Sequence, residues 1–330
     1  MSGRHVSAPR LPRDIDSTQL AQFASDVQYY LTQDPRQLPS RYLYDALGSA
    51  LFEAICHLPW YRITRAEERL LARRGADVLR TEHPSTVVEL GSGSGEKLRM
   101  LIEAGDPGRN PIDVHLVDVS ASALETSARA LQSFDNIRVF SHQAAYEEGL
   151  TDVARDRPDD DRALVLFLGS NIGNYDPPGA NAFLRGLRAQ LRAGDALLLG
   201  ADLVKPEHEL QLAYDDPLGV TAAFNRNLLV RINRELDGDF DVTQFAHQAV
   251  WNASQARIEM HLVARSKQSI HIHAAQVVFT MAPGDRIWTE SSYKYRPAEI
   301  VHLLERAAFR VMTQWIGHVD QFALTLVEAI

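Results

Sequence analysis

Cysteine is almost missing from this sequence, which has one, Cys56, among 330 residues. A single cysteine excludes an intramolecular disulfide and any zinc site built from cysteines, and it is typical of a protein from a reducing compartment. Because Cys56 lies in the apolar-patterned segment FEAICHLPWY, we expect its thiol to pack in the interior and not to act as a nucleophile.

An excess of positive charge is missing too. The chain has 34 Lys and Arg against 43 Asp and Glu, a formal net charge of −9, so no overall basic field exists to hold a nucleic acid. No apolar run approaches the roughly 18–20 residues that cross a bilayer, and the start of the chain lacks the apolar centre of a signal peptide. No heptad pattern or apolar edge indicates self-association. We therefore expect a soluble, cytoplasmic monomer that binds neither nucleic acid nor membrane.

The segments that follow predict an α/β fold. Residues 1–15 are rich in Pro and Arg without periodicity and are predicted to be a mobile N-terminus, and helical periodicity follows to about residue 80. From Ser85, short apolar runs alternate with amphipathic stretches; the runs are STVVELG, DVHLVDVS, NIRVFSHQ, ALVLFLG and DALLLGADL. Apolar strands that alternate with helices are typical of a doubly wound parallel sheet covered on both faces.

After Lys205 the alternation weakens, and a helical region leads into segments with the pattern of antiparallel strands, such as SIHIHA and QVVFTM. The tail has a helix in EIVHLLERAAF and two strands, FRVMTQWIG and QFALTLVEA, that we expect to return to the main sheet. We predict a smaller α+β substrate-binding lobe of residues 16–66 and 205–293. The Rossmann-like core is then residues 67–204 and 294–330.

The strongest local motif is VVELGSGSGEK, in which a strand ends at Glu89 and runs into Gly91, Gly93 and Gly95 before a helix. Such a turn lets a ligand approach the backbone at the carboxyl edge of a sheet. The dinucleotide motif G-x-G-x-x-G would need Gly or Ala at position 96, where this chain has Glu96. The pattern E-x-G-x-G-x-G instead is similar to the first motif of Rossmann-like methyltransferases, and it favours S-adenosylmethionine over NAD.

Asp118 ends the next strand, VHLVDVS. A carboxylate there can accept hydrogen bonds from both ribose hydroxyls of such a cofactor. Asp118 could instead cap the following helix, SASALETSA. Together with the glycine loop, it favours a cofactor site.

From about Ser40 to its end, the chain resembles the histidine-specific N-methyltransferases that make trimethylhistidine (hercynine) on the way to ergothioneine. The segments that carry the resemblance are SRYLYDALGSALFEAICHLPWY, TRAEERLL, VVELGSGSGEKLRML, LGSNIGNY, LLLGADLVK, AYDDPLGVTAAFNRN, RIEMHL and TESSYKYRP. The resemblance implies an S-adenosylmethionine-dependent enzyme that methylates the α-amino group of free L-histidine.

On the cofactor side, the resemblance implies contacts from Tyr44, Gly91, Lys97, Asp118 and Tyr146, with Tyr44 also near the substrate amine. Lys97 follows the glycine turn, where it could pair with the methionyl carboxylate. At Ala145-Tyr146 the chain departs from the family's mycobacterial members, which have an Asp-aromatic pair there. A carboxylate contact to the adenine amino group is therefore not expected.

On the substrate side, the resemblance implies that Asn174 and Tyr214 hold the amino-acid backbone and that Tyr61 closes the pocket. The family also places Glu290, Ser292 and Met260 around the imidazole ring. Tyr44 and Asn174 are the candidate catalytic residues, because they could orient the amine by accepting hydrogen bonds from it.

Two other interpretations of the activity stay open. The chain could methylate another amino acid, such as a tryptophan or histidine derivative, or it could be a non-catalytic protein that binds S-adenosylmethionine and an amino acid. A metal site is not predicted, because His271 and His273 in HIHAAQ could share a strand face but have no third ligand nearby.

Overall fold

The computed structural model describes residues 17–105, 111–158 and 161–330. The predicted mobile N-terminus, residues 1–15, lies outside these ranges. Within them the strands, in chain order, are β1 (Thr86–Leu90), β2 (Ile112–Asp118), β3 (Ile137–Gln143), β4 (Ala163–Phe167), β5 (Ala196–Asp202), β6 (Phe245–Asn252), β7 (Arg257–Ala264), β8 (Gln268–Ile272), β9 (Val277–Met281), β10 (Arg286–Tyr293), β11 (Phe309–Gly317) and β12 (Phe322–Ala329).

The helices within the same ranges are α1 (Ser17–Leu31), α2 (Ala46–Cys56), α3 (Ile63–Glu82), α4 (Glu96–Ala104), α5 (Ala121–Ala130), α6 (Tyr146–Asp156), α7 (Pro177–Ala189), α8 (Glu207–Tyr214), α9 (Val220–Leu236) and α10 (Pro297–Arg306). Short 3-10 turns occupy Ser40–Leu43, Asn171–Asn174 and Val242–Gln244. None of the described helices is long and apolar enough to cross a membrane.

The main sheet has the strand order β11-β12-β5-β4-β1-β2-β3. Strands β1 to β5 pair in parallel, and β12 pairs antiparallel with both β5 and β11. Side chains of β1 alternate between two cores: Val87 packs on the face covered by α3, α4 and α5, and Val88 on the face covered by α6, α7 and α10. The predicted doubly wound α/β fold is therefore confirmed, and so are the two C-terminal strands that return to the sheet.

A smaller antiparallel sheet, ordered β10-β7-β6, and the hairpin β8-β9 follow the core in the chain. Helices α8 and α9 contact β6 and β7, and α2 packs on α9. This second α+β unit confirms the predicted smaller lobe as part of the fold. The exact division at residues 16–66 and 205–293 stays a prediction.

The segment after β10 joins the two sheets. Tyr295 donates its backbone N–H to the carbonyl of Asp202 at the end of β5 and accepts from Val204. Gly173 packs on the backbone of Tyr293, because a Cβ at that glycine would lie 2.7 Å from the Tyr293 carbonyl oxygen. The end of β10 therefore lies against the carboxyl edge of the main sheet.

Two elements differ from the pattern in the sequence. The helical region predicted after Lys205 breaks after Tyr214, and the carboxylate of Asp216 accepts backbone N–H bonds at the start of α9. Helix α6 lies between two predicted strands, but no local signal in the sequence marks where it begins. Its N-cap, Ala145, has no capping side-chain bond, so the usual polar start signal is missing.

Candidate active site

The glycine loop between β1 and α4 leaves room beside its backbone. Gly91 has φ +81°, and a Cβ there would lie 2.9 Å from both Asn171 Nδ2 and Tyr146 Oη. Only glycine fits this combination of left-handed backbone and close neighbours. A Cβ at Gly93 would meet nothing within 4 Å, so the space next to the loop is open.

Asp118, at the end of β2, lies against the same loop. Its Oδ1 accepts from the backbone N–H of Ser120 at 2.9 Å, and its Oδ2 accepts from that of Gly93 at 3.4 Å. Burial raises the pKa of Asp118, and the backbone donors oppose that shift. The carboxylate thus fixes the loop, as expected for a residue at the crevice edge of an α/β sheet.

Glu89, the last polar residue of β1, is buried beneath the loop. Its Oε2 has no hydrogen-bond partner among the residues that the structure describes. Burial raises the pKa of Glu89 to about 8, although the charge of Lys97 opposes the shift. Buried polar atoms are normally paired, so this oxygen is available to a ligand that binds at the loop.

Lys97, in the first turn of α4, forms an ion pair that the sequence did not reveal. Its Nζ lies 2.6 Å from Oε2 of the fully buried Glu67, and Glu67 also accepts from the backbone N–H of Gly169 at 2.8 and 3.0 Å. Burial lowers the pKa of Lys97, but Glu67 outweighs this and leaves it raised. The ammonium is thus held charged at the edge of the loop.

The 3-10 turn after β4 links the cofactor side to the substrate side. Asn171 begins the turn next to Gly91, and Asn174 ends it. Residues three apart in a 3-10 helix share one face, so the two amides project on the same side. Asn171 is absent from the sequence-based candidates, although it stands in the same SNIGNY segment as Asn174.

Glu290, Ser292 and Met260 lie on the smaller sheet. Glu290 of β10 is the register partner of Met260 on β7, and Ser292 pairs with Ile258. A register shift between Trp288 and Glu290 marks a bulge. Residues two apart share a strand face, so Glu290 and Ser292 project side by side next to Met260.

Tyr214 and Tyr61 complete this pocket. The hydroxyl oxygens of Tyr214 and Ser292 are 2.7 Å apart, and the rings of Tyr61 and Tyr214 meet edge to face at 6.1 Å. Lys294, which was not among the candidates, donates to Tyr214 Oη at 2.8 Å and to Ser292 Oγ at 2.9 Å. The structure therefore brings Tyr61, Tyr214 and Ser292 into one cluster with Lys294.

Tyr44 lies where the two sides meet. Its ring packs on Phe52 and Phe224 with 5.5 Å between centroids. Burial raises its pKa well above the ordinary value, and the charges of Glu290 and Tyr146 add to the shift. Tyr44 thus lies within electrostatic range of groups on both sides and keeps its hydroxyl proton.

Burial also controls the ionisation of Glu290 and Tyr146. It raises the pKa of Glu290 to about 7, although the Lys294 charge opposes the shift, and it raises the pKa of Tyr146 far above its usual range. The Tyr146 ring packs on Phe167 at 5.6 Å. No group of three or more His, Cys, Asp or Glu side chains that could hold a metal occurs in the described ranges.

The glycine loop, the carboxylate at the end of β2 and the strand order of the main sheet define a class, the Rossmann-like S-adenosylmethionine-dependent methyltransferases. A family model described as "Histidine-specific methyltransferase, SAM-dependent" matches residues 23–329. The chain belongs to that family.

Individual relatives agree with this assignment. A histidine N-alpha-methyltransferase of Mycolicibacterium smegmatis is 41% identical over 91% of this chain and 93% of its own length. Ergothioneine biosynthesis protein 1 of Schizosaccharomyces pombe is 26% identical over 88% of this chain and 39% of its own length. The L-tryptophan methyltransferase trpM of Psilocybe serbica is 26% identical over 89% of this chain and 88% of its own length.

Proposed function

We propose that this protein transfers methyl groups from S-adenosylmethionine to the α-amino nitrogen of free L-histidine, ending at trimethylhistidine in ergothioneine biosynthesis. The observation that carries the proposal is the pairing of Glu290 and Ser292 on one face of β10, opposite Met260. The 41% identity to a histidine N-alpha-methyltransferase supports it.

The residues on the cofactor side fit S-adenosylmethionine. The open space beside Gly93 and the orphaned Oε2 of Glu89 favour a bound polar ligand there. We assign the ribose hydroxyls to Asp118, and the methionyl carboxylate to Lys97 by charge. Gly91, Tyr146 and Tyr44 are further cofactor contacts in this proposal. When bound, the cofactor supplies a methyl group on a sulfonium sulfur, which leaves as a neutral thioether.

The substrate side then selects a ring with two nitrogens. Glu290 accepts from one imidazole nitrogen, Ser292 contacts the other, and Met260 packs beside the ring. Asn174 and Tyr214 hold the amino-acid backbone, and Tyr61 closes the pocket. A phenylalanine ring would leave Glu290 buried without a partner, at a cost of roughly several kcal/mol.

Methylation requires a neutral amine with its lone pair directed at the methyl group, so positioning supplies most of the rate. Tyr44 and Asn174 accept hydrogen bonds from the N–H groups that the amine still carries and so orient it in the first two transfers, and water takes the released proton. The raised pKa of Tyr44 keeps that hydroxyl neutral. As methyl groups accumulate, the ring faces of Tyr44 and Tyr61 stabilise the growing cation by about 0.5–2 kcal/mol.

Mass spectrometry of the protein incubated with S-adenosylmethionine and each of the twenty free amino acids tests this proposal. The expected result is a mass gain on histidine alone, in three steps of one methyl. Gains on another amino acid would overturn the pocket assignment. No gain at all would favour the non-catalytic binding protein.

Tryptophan is the second candidate substrate, because one relative is named an L-tryptophan methyltransferase. Against it, an indole offers no acceptor nitrogen for the Ser292 hydroxyl and only one donor for Glu290. The same assay separates the two substrates. We also propose that the enzyme acts as a cytoplasmic monomer, and sedimentation measures its oligomeric state.

A further inference from the structure

Lys294, the residue after β10, is fully buried, with a side-chain exposure of 0%. A lysine in that position needs a counter-ion and partners for its donors. Its Nζ lies 3.0 Å from Oδ2 of Asp202 at the end of β5. Asp202 therefore balances the charge from the other sheet.

The other donors of Lys294 point at the pocket. They go to Tyr214 Oη at 2.8 Å and Ser292 Oγ at 2.9 Å, and those two oxygens are 2.7 Å apart. An ammonium has three N–H donors and no lone pair. Asp202 balances its charge, and because the ammonium has no lone pair, Lys294 can only donate to the hydroxyl pair.

Lys294 Nζ, Tyr214 Oη and Ser292 Oγ form a hydrogen-bonded triangle, which determines where the two hydroxyl protons point. Both oxygens already accept from Lys294, and only one proton can lie between Tyr214 and Ser292. The second proton is left to donate outside the triangle. Lys294 thus takes two of the three lone pairs that the hydroxyl pair would otherwise offer, and the free proton favours a ligand that brings a lone pair.

We propose that Lys294 is a positioning residue that makes the Tyr214–Ser292 pair a hydrogen-bond donor toward the substrate and so selects an unprotonated ring nitrogen. Glu290 projects from the same strand face as Ser292 and carries acceptor oxygens. The two groups together match a neutral imidazole, which has one N–H and one free lone pair. This inference rests on the proposed function, because that function places these side chains around the substrate.

Lys205 provides a matched control. Its Nζ pairs with the other oxygen of Asp202, Oδ1, at 2.6 Å and is nearly as buried as Lys294. It also donates to the carbonyl of Asp320 at 3.0 Å and contacts neither hydroxyl of the pocket. Loss of either lysine removes one positive charge from Asp202, but only loss of Lys294 frees the hydroxyl pair.

The experiment compares Lys294→Met with Lys205→Met in kcat and KM for histidine and in Kd for S-adenosylmethionine. We expect Lys294→Met to raise the histidine KM about tenfold or more, since its bonds are charge-assisted, with the cofactor Kd changed by less than about twofold. Lys205→Met should change the histidine KM by less than about threefold. Equal KM increases in the two variants, or a Lys294→Met effect confined to the cofactor Kd, would overturn the proposal.

Two further variants keep the test valid if Lys294→Met does not fold. Asp202→Asn/Lys205→Met/Lys294→Met, compared with Asp202→Asn/Lys205→Met, carries the same expectation, because an amide at position 202 needs no counter-ion and no lysine is left unpaired. In a Tyr214→Phe/Ser292→Ala background, Lys294→Met should add less than about threefold to the histidine KM, because residues that act as a unit are not additive. A full tenfold increase there would contradict the proposal.

The wild-type enzyme is measured first. Absence of histidine methylation by the wild type would contradict the proposed function, whereas normal methylation with no Lys294 effect contradicts this inference alone.

Discussion

The cofactor side and the substrate side of the site hold their ligands by different means. Around the glycine loop, the chain supplies a left-handed backbone at Gly91 and open space at Gly93, with Asp118 bonded to the loop itself. On the face of β10, the groups are side chains, and Ser292 and Tyr214 are held by Lys294. The cofactor side depends on space beside the glycine loop that no side chain fills. The substrate side depends on hydrogen bonds between buried polar side chains.

Substitutions that add atoms beside the glycine loop should therefore weaken cofactor binding most. Gly91→Ala forces a Cβ to within 2.9 Å of Asn171 and Tyr146 at φ +81°, and left-handed strain alone costs a non-glycine residue about 1–3 kcal/mol. We expect the Kd for S-adenosylmethionine to rise about a hundredfold, measured by calorimetry.

Gly194→Ala is the matched control for Gly91→Ala. Gly194 has φ +91° but nothing within 4 Å of an added Cβ, so it should lower stability and leave the cofactor Kd unchanged. Equal cofactor affinities for the two variants would show that space beside the loop is not what matters.

A substitution at Lys97 tests whether this side chain contributes both to stability and to cofactor binding. Lys97→Met leaves the buried Glu67 without its ion-pair partner, and we expect the free energy of unfolding to fall by about 3 kcal/mol, measured by urea denaturation. Glu67→Gln/Lys97→Met should recover most of that stability. Its cofactor Kd should stay about tenfold weaker than that of the wild type, and full recovery of cofactor affinity would remove Lys97 from the cofactor contacts.

Asn171 and Asn174 of the 3-10 turn allow a direct comparison of the cofactor side with the substrate side, because they lie three residues apart on one face of the turn. Asn171 is next to Gly91, so Asn171→Ala should raise the cofactor Kd about fivefold to tenfold. Asn174→Ala should raise the histidine KM by a similar factor and leave the cofactor Kd unchanged. Each variant is the other's control, and identical profiles in steady-state kinetics would show that the turn does not separate the two sides.

Glu290 gives the smallest expected effect, a dependence of stability on pH. Its pKa is raised from 4.5 to about 7, so the folded protein keeps a proton that the unfolded chain releases at lower pH. The stabilisation is complete below about pH 4.5 and is lost as the pH rises through about 7. We expect the unfolding free energy of the wild type to fall by on the order of 1 kcal/mol relative to Glu290→Gln between pH 5 and 8. A constant difference across that range, with ligand-free protein, would contradict a buried carboxyl.

The two sides also differ in how far the sequence predicts them. Gly91 and Asp118 are recognisable because each follows an apolar strand at a fixed offset, and the parallel sheet brings strand ends together. Glu67 and Lys294 carry no such signal, since charged residues are rarely buried and their partners come from distant parts of the chain. Lys294 stands in the family-like segment TESSYKYRP, yet nothing local indicates its bond to Asp202.

Helix α6, in the Rossmann-like core, is a second feature that the local sequence does not reveal. Its sequence, YEEGLTDVARD, has a glycine inside it, which lowers helix propensity. In the fold, Gly149 is where α6 packs on β2, because a Cβ there would lie 2.3 Å from Val117 Cγ1. Packing between distant segments explains this glycine, and local periodicity does not reveal it.

The most direct test of the substrate side is the ratio of kcat/KM for histidine to kcat/KM for phenylalanine, measured for the wild type and for Glu290→Gln/Ser292→Ala. We predict a wild-type ratio of about a thousand or more, because phenylalanine leaves buried polar groups unpaired. The ratio should fall at least about thirtyfold in the double variant, with the S-adenosylmethionine Kd unchanged. An unchanged ratio would show that Glu290 and Ser292 do not recognise the imidazole ring, and the assignment of this face to histidine would be wrong.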